Sequence, residues 1–449
     1  MEKNSPKNVF LIILDALRFD YSAILMEKLR KYGFTEYNNA ISSSPWTTPS
    51  HASMITGVYP LVHGAHESKD RKYYKVRLTR NLPTLQQKLK MYGYRTYLLS
   101  ENPFISPIFG FRGFDEYHNT LRGFDIDLLS IYERQYLRDL RDKLKTRSRR
   151  KILIRLLKNR KISLIYRSIL TKMITKTRIN RIINRKWPLD KGGEKTVNTI
   201  KGILKKEPKS KKFFFINFME THEPYFIDRK EHLEQFINSL IGDPLDENYL
   251  IKWKQGYERS VSYISDLLDK LLGYMYDEKE LDNSLIIITS DHGQLLGEHG
   301  KIAHGVFLCD ELLRVPFLIK YPDYIEEPNI TPQHYKYLSN TSLKKFVVSH
   351  ARGSPLLIND LYEDHVYSET FGVHLNYKDI VNLRDLNKII KWETYRIAIY
   401  YKGMKAIYNI STWNFDKLLT YNKNSIDQRD LKFLKKLVIT HLSKAKLIK

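Results

Sequence analysis

The stretch Asn8-Val9-Phe10-Leu11-Ile12-Ile13-Leu14-Asp15 decides the fold. From Val9 to Leu14 apolar residues follow one another, without the polar alternation of a half-exposed strand. Such a run reads as a strand covered on both faces, as in a parallel sheet flanked by helices. Working outward, Arg95–Ser100, Lys212–Phe218, Ser284–Thr289 and Val315–Lys320 read as strands too. Between them apolar residues recur at helical spacing: Leu82, Leu85 and Leu89, stopped by Gly93, and then Val261, Ile264, Leu267, Leu268 and Leu271. The alternation predicts an α/β fold with a large, mainly parallel central sheet sandwiched by helices. Past about residue 325 the pattern changes. Arg396–Tyr401 and Met404–Asn409 flank Lys402-Gly403, the signature of a tight antiparallel hairpin, and a Lys/Leu-rich helix starts at about Asp427. The expected division is a main domain over 1–325, with a basic helical insertion at about 125–200, and a smaller α+β portion over 326–449. No internal repeat or low-complexity linker is visible.

Composition narrows the function classes. Of 449 residues, 42% are hydrophobic and 12% aromatic, which excludes wholesale disorder. The single cysteine, Cys309, excludes a disulfide framework and an all-thiolate metal cluster. Fourteen histidines and 50 acidic residues leave a nitrogen–oxygen metal site open. Apolar runs fall far short of the ~20 residues that span a bilayer. Residues 1–7 are polar, and the short apolar stretch after them is broken by Asp15, so no cleavable signal is read and a cytoplasmic location is expected.

In open α/β sheets ligands collect at the carboxyl ends of the strands. Three such ends carry polar groups: Asp15, then Ser290-Asp291-His292-Gly293, then Glu220-Thr221-His222-Glu223-Pro224-Tyr225. Any one of them taken singly reads more readily as a helix cap or a surface turn; three together point to a shared site. Asp15, Asp291 and His292 offer two carboxylates and an imidazole, which suit a divalent cation. The segment from Ser44 to Gly57 is a hydroxyl-rich loop entering a short helix. Its free N–H groups suit an anion, and a hydroxyl beside a metal becomes a nucleophile, although Ser and Thr are also ordinary N-caps.

Here a family resemblance emerges. Thr47-Thr48-Pro49-Ser50-His51-Ala52-Ser53 through Gly57, with Tyr59-Pro60 and His63-Gly64 behind it, resembles the signature of the sulfatases, a branch of the alkaline phosphatase superfamily. Asn8–Asp20 resembles that family's first strand and metal aspartate. Asn102-Pro103, Gly113-Phe114-Asp115-Glu116-Tyr117, Glu220–Tyr225, Thr289–Gly300 and Asp310–Pro316 are similar to its later blocks, in the same order.

The resemblance implies one divalent metal ion (Mn2+, Mg2+, Ca2+ or Zn2+) held by Asp15, Thr47, Asp291 and His292. It implies Thr47 as nucleophile, with Thr48 and Ser50 as alternatives if the loop shifts. His222 or His304 would protonate the leaving oxygen, and His51, Asn102 and His299 would contact the substrate. His63 reads as structural. Asp20 is a weaker metal candidate, read as a surface or capping residue. Two departures matter. Sulfatases proper carry Cys or Ser at the Thr47 position, matured to an aldehyde that threonine cannot form. They also carry a second aspartate where this chain has Ala16. The implied activity is therefore ester hydrolysis or transfer on an anionic substrate, with a phosphoester preferred. A sulfuric ester hydrolase working without the aldehyde is the alternative, and a catalytically silent glycan- or lipid-binding protein is a third reading.

The formal net charge is +25. Residues 134–186 hold 20 Lys/Arg against Asp139 and Asp142, and so supply 18 of those charges. Apolar residues recur there at Ile152, Leu156, Ile162, Ile165, Ile169, Ile174, Ile179, Ile182 and Ile183. A basic amphipathic segment suits peripheral contact with an anionic membrane, and equally a hairpin with a solvated basic face. Few aromatics speak against nucleic acid. An acidic glycan, a lipid headgroup or a small anion as substrate fits either reading.

Overall fold

Seven strands hydrogen-bond into one sheet in the computed structural model: β1 (Asn8–Leu14), β2 (Thr35–Glu36), β3 (Arg95–Ser100), β4 (Glu116–Asn119), β5 (Lys212–Phe218), β6 (Ser284–Thr289) and β7 (Phe317–Lys320). Their order across the sheet is β2-β7-β6-β1-β5-β3-β4. Neighbours from β6 to β4 are parallel, and β7 runs antiparallel to both β6 and β2. The structure describes residues 5–122, 129, 131–144, 148–170, 173, 189–225, 229–325, 335–375, 377, 383–421 and 426–446.

The opening run behaves as its pattern requires. Every residue of β1 is buried. Phe10, Ile12 and Leu14 share one apolar layer with Val261, Ile264 and Leu268 of the helix Glu247–Asp277, and Phe10 stacks on Phe214 with ring centroids 4.6 Å apart. Val9, Leu11 and Ile13 point into the other layer, beside Ala52 and Ile55 of the helix Thr47–Thr56 and Leu85 and Leu89 of the helix Leu85–Met91. The period-2 alternation thus feeds two cores, one on each face. The strand expected at Val315–Lys320 starts only at Phe317, because Pro316 has no N–H for the ladder.

After the central sheet comes a four-stranded antiparallel sheet in sequential order: β8 (His365–Thr370), β9 (Arg396–Tyr401), β10 (Met404–Asn409) and β11 (Asn414–Thr420). Lys402 (φ 45°) and Gly403 (φ 72°) both have positive φ, the geometry that a two-residue hairpin demands. Leu434, Leu437 and Val438 of the helix Gln428–Lys446 cover this sheet against Ile397, Ile399 and Tyr401. The expected division point near 325 borders 326–334, which lie outside the described residues.

The basic segment forms the helices Ile131–Lys143 and Arg149–Lys158, and residues 162–170 are helical too. Leu140, Leu156 and Leu164 are buried in a small core of their own, separate from the two sheet layers. Ile174, Ile179, Ile182 and Ile183 lie outside the described residues. Among the described residues no helix is long and apolar enough to cross a membrane.

Candidate active site

Parallel pairing brings the carboxyl ends of β3, β5, β1 and β6 side by side, and a polar side chain stands at or just past each: Asn102, Asn217, Asp15 and Asp291. The loops after β1 and β6 are laced together. Ala16 donates its N–H to Asp291 Oδ1 (3.1 Å), and Leu17 donates to Ser290 Oγ (3.0 Å). Ala16 takes φ 67°, a left-handed conformation costly for a residue with a Cβ, so this turn is held by its surroundings.

Asp15 is fully buried. Its Oδ2 accepts hydrogen bonds from Asn102 Nδ2 (2.8 Å) and Asn217 Nδ2 (3.2 Å), while its Oδ1 has no hydrogen-bond partner. Asp291 mirrors it. Its Oδ1 accepts from Ala16 and from the His292 N–H (3.0 Å), and its Oδ2 has no hydrogen-bond partner. His292 Nδ1 donates to the Gly293 carbonyl (2.7 Å), which turns Nε2 toward Asp15 Oδ1 (3.6 Å), Asp291 Oδ2 (3.4 Å) and Thr47 Oγ1 (3.2 Å). One ligand atom from each of Asp15, Asp291 and His292 lies within 4.8 Å of the others. Two buried carboxylate oxygens without donors, facing an imidazole nitrogen, are the donor set a divalent cation satisfies. The residues fit the metal that the family implies, and nothing in them selects the ion.

The electrostatics agree. Burial pushes the Asp15 carboxyl up, but His222, His292, His51 and the Asn102 hydrogen bond together hold it below the usual range. Asp291 is driven well above that range by burial and then by the Asp15 charge. Burial also lowers His292, keeping its ring neutral, the form that ligates a metal.

Thr47 opens the helix Thr47–Thr56 behind an extended Trp46. Its hydroxyl, rather than that of Thr48 or Ser50, faces His292. Ser50 Oγ is bound to Ser42 Oγ (2.7 Å) and the Ser44 carbonyl (2.9 Å). His51, one turn on, is turned inward: Nδ1 lies 3.0 Å from the Thr47 carbonyl and Nε2 lies 3.1 Å from Asn217 Nδ2. Burial lowers its pKa to about 4. Asn102 is also committed inside the protein, its Oδ1 accepting from the Phe104 N–H (2.9 Å) while its Nδ2 holds Asp15.

On the other side of His292 stands a group of imidazoles. His304 stacks on His292 (centroids 4.4 Å apart) and meets His222 edge-on at 4.8 Å. His222 Nδ1 donates to the Glu223 carbonyl (2.7 Å), leaving Nε2 for another partner. His304 Nδ1 bonds Gln294 Oε1 (2.9 Å), and burial followed by His292 keeps it well below the ordinary imidazole range.

His299 is about half exposed and paired through Nε2 with Glu311 Oε1 at 3.3 Å. Asp20 is held by Arg18 Nη2 at 2.6 Å. His63 takes the structural place read for it, with Nε2 at Ser53 Oγ and Nδ1 accepting from the Ala65 N–H (3.0 Å each).

Four residues that sequence reasoning passed over also build the site. Asn217 ties Asp15 to His51; its only signal is an amide breaking the apolar run of β5. Thr221 Oγ1 donates to the Asp15 carbonyl (2.6 Å), and its hydroxyl was visible in the loop after β5. Buried Lys191 donates to the carbonyls of Glu220 and His222, and burial lowers its ammonium to about 8. His374 stacks with His304 (5.8 Å) and Trp46 (5.4 Å). Neither Lys191 nor His374 sits in a motif.

The family model described as "Sulfatase" matches residues 7–353 of the chain. A low-salt glycan biosynthesis sulfotransferase, Agl7, of Haloferax volcanii is 27% identical over 316 residues, covering 69% of this chain and 53% of that protein. An N-acetylglucosamine-6-O-sulfatase of Bacteroides thetaiotaomicron is 38% identical over 82 residues, 17% of this chain and 14% of the relative. The chain thus spans about half or less of the length of these curated relatives. Among solved structures, a phosphonate monoester hydrolase of Silicibacter pomeroyi superposes with TM-score 0.63 at 12% identity, covering 98% of this chain and 96% of that one. A 2-O GAG sulfatase gives 0.63 at 14% identity, covering 98% and 93%. At these identities the superpositions establish the fold.

Proposed function

The chain belongs to the sulfatase family, a family of ester hydrolases, and from that premise we propose that it is a metal-dependent hydrolase or transferase of anionic esters, phosphoesters foremost, acting through Thr47. The observation that carries this reading is the Thr47 hydroxyl, 3.2 Å from His292 Nε2 beside the partnerless oxygens of Asp15 and Asp291. Asp15, Asp291, His292 and Thr47 would hold the cation, which when bound lowers the hydroxyl pKa and neutralises substrate charge. Thr47 gives its hydroxyl proton to solvent and its Oγ attacks phosphorus in line, the bond from phosphorus to the leaving oxygen breaks, and that oxygen takes a proton from His222 Nε2. His304, kept neutral by burial, contributes a hydrogen-bonding contact rather than a proton. Water or an acceptor alcohol then releases the phosphoryl group from Thr47. His51, Asn102 and Asn217 hold Thr47 and Asp15 in position.

The alternative, sulfuryl ester chemistry without the aldehyde, draws support from the sulfotransferase and sulfatase named among the relatives. A silent binding protein would gain nothing from two partnerless buried carboxylate oxygens, which cost stability. The deciding experiment is turnover of an aryl phosphodiester, an aryl phosphomonoester and an aryl sulfate after metal loading, with Thr47→Ala in parallel. Phosphoester cleavage that vanishes in the variant supports the proposal. Aryl sulfate cleavage that survives in the variant overturns it.

A further inference from the structure

Seven large apolar side chains stand in water on the basic segment. Ile162, Tyr166, Ile169 and Met173 follow at intervals of four, three and four residues and are 53–67% exposed. On the preceding helix Leu153, Ile154 and Leu157 are 40–52% exposed. The inner faces of these helices are already occupied, since Leu156 and Leu164 are buried with Leu140 in the segment's own core. The outward stripe is therefore not the face that holds the fold together. It is surrounded by one sign of charge. Residues 148–170 contain eight Lys/Arg and no Asp or Glu, and Arg150, Lys151, Arg155, Lys158, Arg160 and Lys161 are exposed. A concavity of about 430 Å3 on the same segment is lined in part by Arg160 and Lys161, and by Arg167 in an ion pair with Glu133.

We propose that this face docks the protein on an anionic lipid bilayer, with the apolar stripe entering the interface and the cations meeting the headgroups. The charge identifies the occupant. A purely apolar partner leaves the cations without counter-charge, and nucleic acid leaves the exposed Ile162 and Ile169 in water, with Tyr166 alone in the stripe able to stack. A bilayer answers both, and tyrosine favours its interface. The proposal is independent of the chemistry at Thr47.

The test is co-sedimentation of the full chain with vesicles of phosphatidylcholine alone, or of phosphatidylcholine and phosphatidylglycerol at 7:3, at low and high salt. Binding is expected on the anionic vesicles at low salt and should fall steeply with salt. Arg150→Gln/Lys158→Gln lowers the partition on the order of tenfold. Ile162→Ser/Ile169→Ser, at exposed positions, lowers it by at least as much while the thermal midpoint stays in place. Hydrogen exchange on the wild type gives a readout free of variant folding, with vesicle-dependent protection expected over 149–173. No binding to anionic vesicles, equal binding to phosphatidylcholine alone, or protection lying elsewhere overturns the proposal. So does a self-association abolished by Ile162→Ser/Ile169→Ser, which would make a second copy the occupant.

Discussion

Asp291→Asn is the sharpest perturbation of the site, because it separates what the carboxylate pair costs from what it is for. Without metal, Asp291 is held well above its unfolded value of 3.8, by burial and then by the Asp15 charge. A carboxyl raised on folding binds more protons folded than unfolded. Its contribution to stability is complete below pH 3.8 and is lost as pH rises toward the folded value. One proton corresponds to about 1.4 kcal/mol per pH unit in that window. For 449 residues, an unfolding entropy of roughly 2.1 cal/mol/K per residue converts this to about 1.5 °C of Tm per unit. Asparagine mimics the neutral carboxyl. Its oxygen still accepts from Ala16 and His292, and its NH2 replaces the partnerless Oδ2. In chelator, the Tm difference between wild type and variant should therefore move against the wild type as pH climbs from about 4. Asp15 does not confuse the window, because its lowered pKa acts below 3.8.

Metal reverses the comparison. Saturation at 100 times the Kd stabilises the wild type by about 2.7 kcal/mol, roughly 3 °C here, and the variant should lose most of that gain. Thermal melts from pH 4 to 8, with chelator or with Mn2+, read both effects. A variant that follows the wild-type pH slope in chelator and keeps the full metal shift would refute the assignment of Asp291 to the cation site.

Three further outcomes are expected. Thr47→Ala should lower kcat on the best ester at least 10³-fold, whereas an acid-quenched wild type should yield a Thr47 peptide carrying the substrate's phosphoryl group by mass spectrometry; phosphate on Ser50 instead would shift the nucleophile. His222→Ala should slow alkyl esters by about 10²–10⁴-fold and leave nitrophenyl esters within a few-fold, so equal losses on both would remove it as the general acid. His63→Ala should lower stability by about 1–3 kcal/mol, because the Ser53 hydroxyl and the Ala65 N–H each lose a partner, while KM and kcat stay near wild type.

The parts legible in the sequence share one property: each is written along a single element. The six apolar residues of β1 declare a strand buried on both faces, and Lys402-Gly403 declares its hairpin. Asp15 and Asp291 are legible because a carboxylate directly after such a run has to sit at the sheet's carboxyl end. Direction across space is what the sequence withholds. His51 and Asn102 lie in the blocks expected to touch substrate, yet their polar atoms are spent on the Thr47 carbonyl, Asn217, Asp15 and the Phe104 N–H. Reading them as anion contacts requires free polar atoms, and only the packing of β5 against β1 and β3 reveals that there are none. Lys191 and His374 are hidden for a related reason: each reaches the site from a separate loop whose local pattern serves other ends.

The three hydroxyls of the Thr47 loop show how the two kinds of information combine. The family resemblance points to Thr47, with Thr48 and Ser50 as alternatives if the loop shifts. The helix turns each residue about 100° from the last, so Thr48 swings away from His292, into burial with no hydrogen-bond partner for its Oγ1. Ser50 returns toward the Thr47 side but is claimed by Ser42 and Ser44. Thr47 alone keeps its hydroxyl toward His292 Nε2, and it does so because Trp46 is extended and delivers it at the first helical position. Which hydroxyl faces His292 thus follows from where one helix begins, and a helix start displaced by one residue would hand that position to a different hydroxyl.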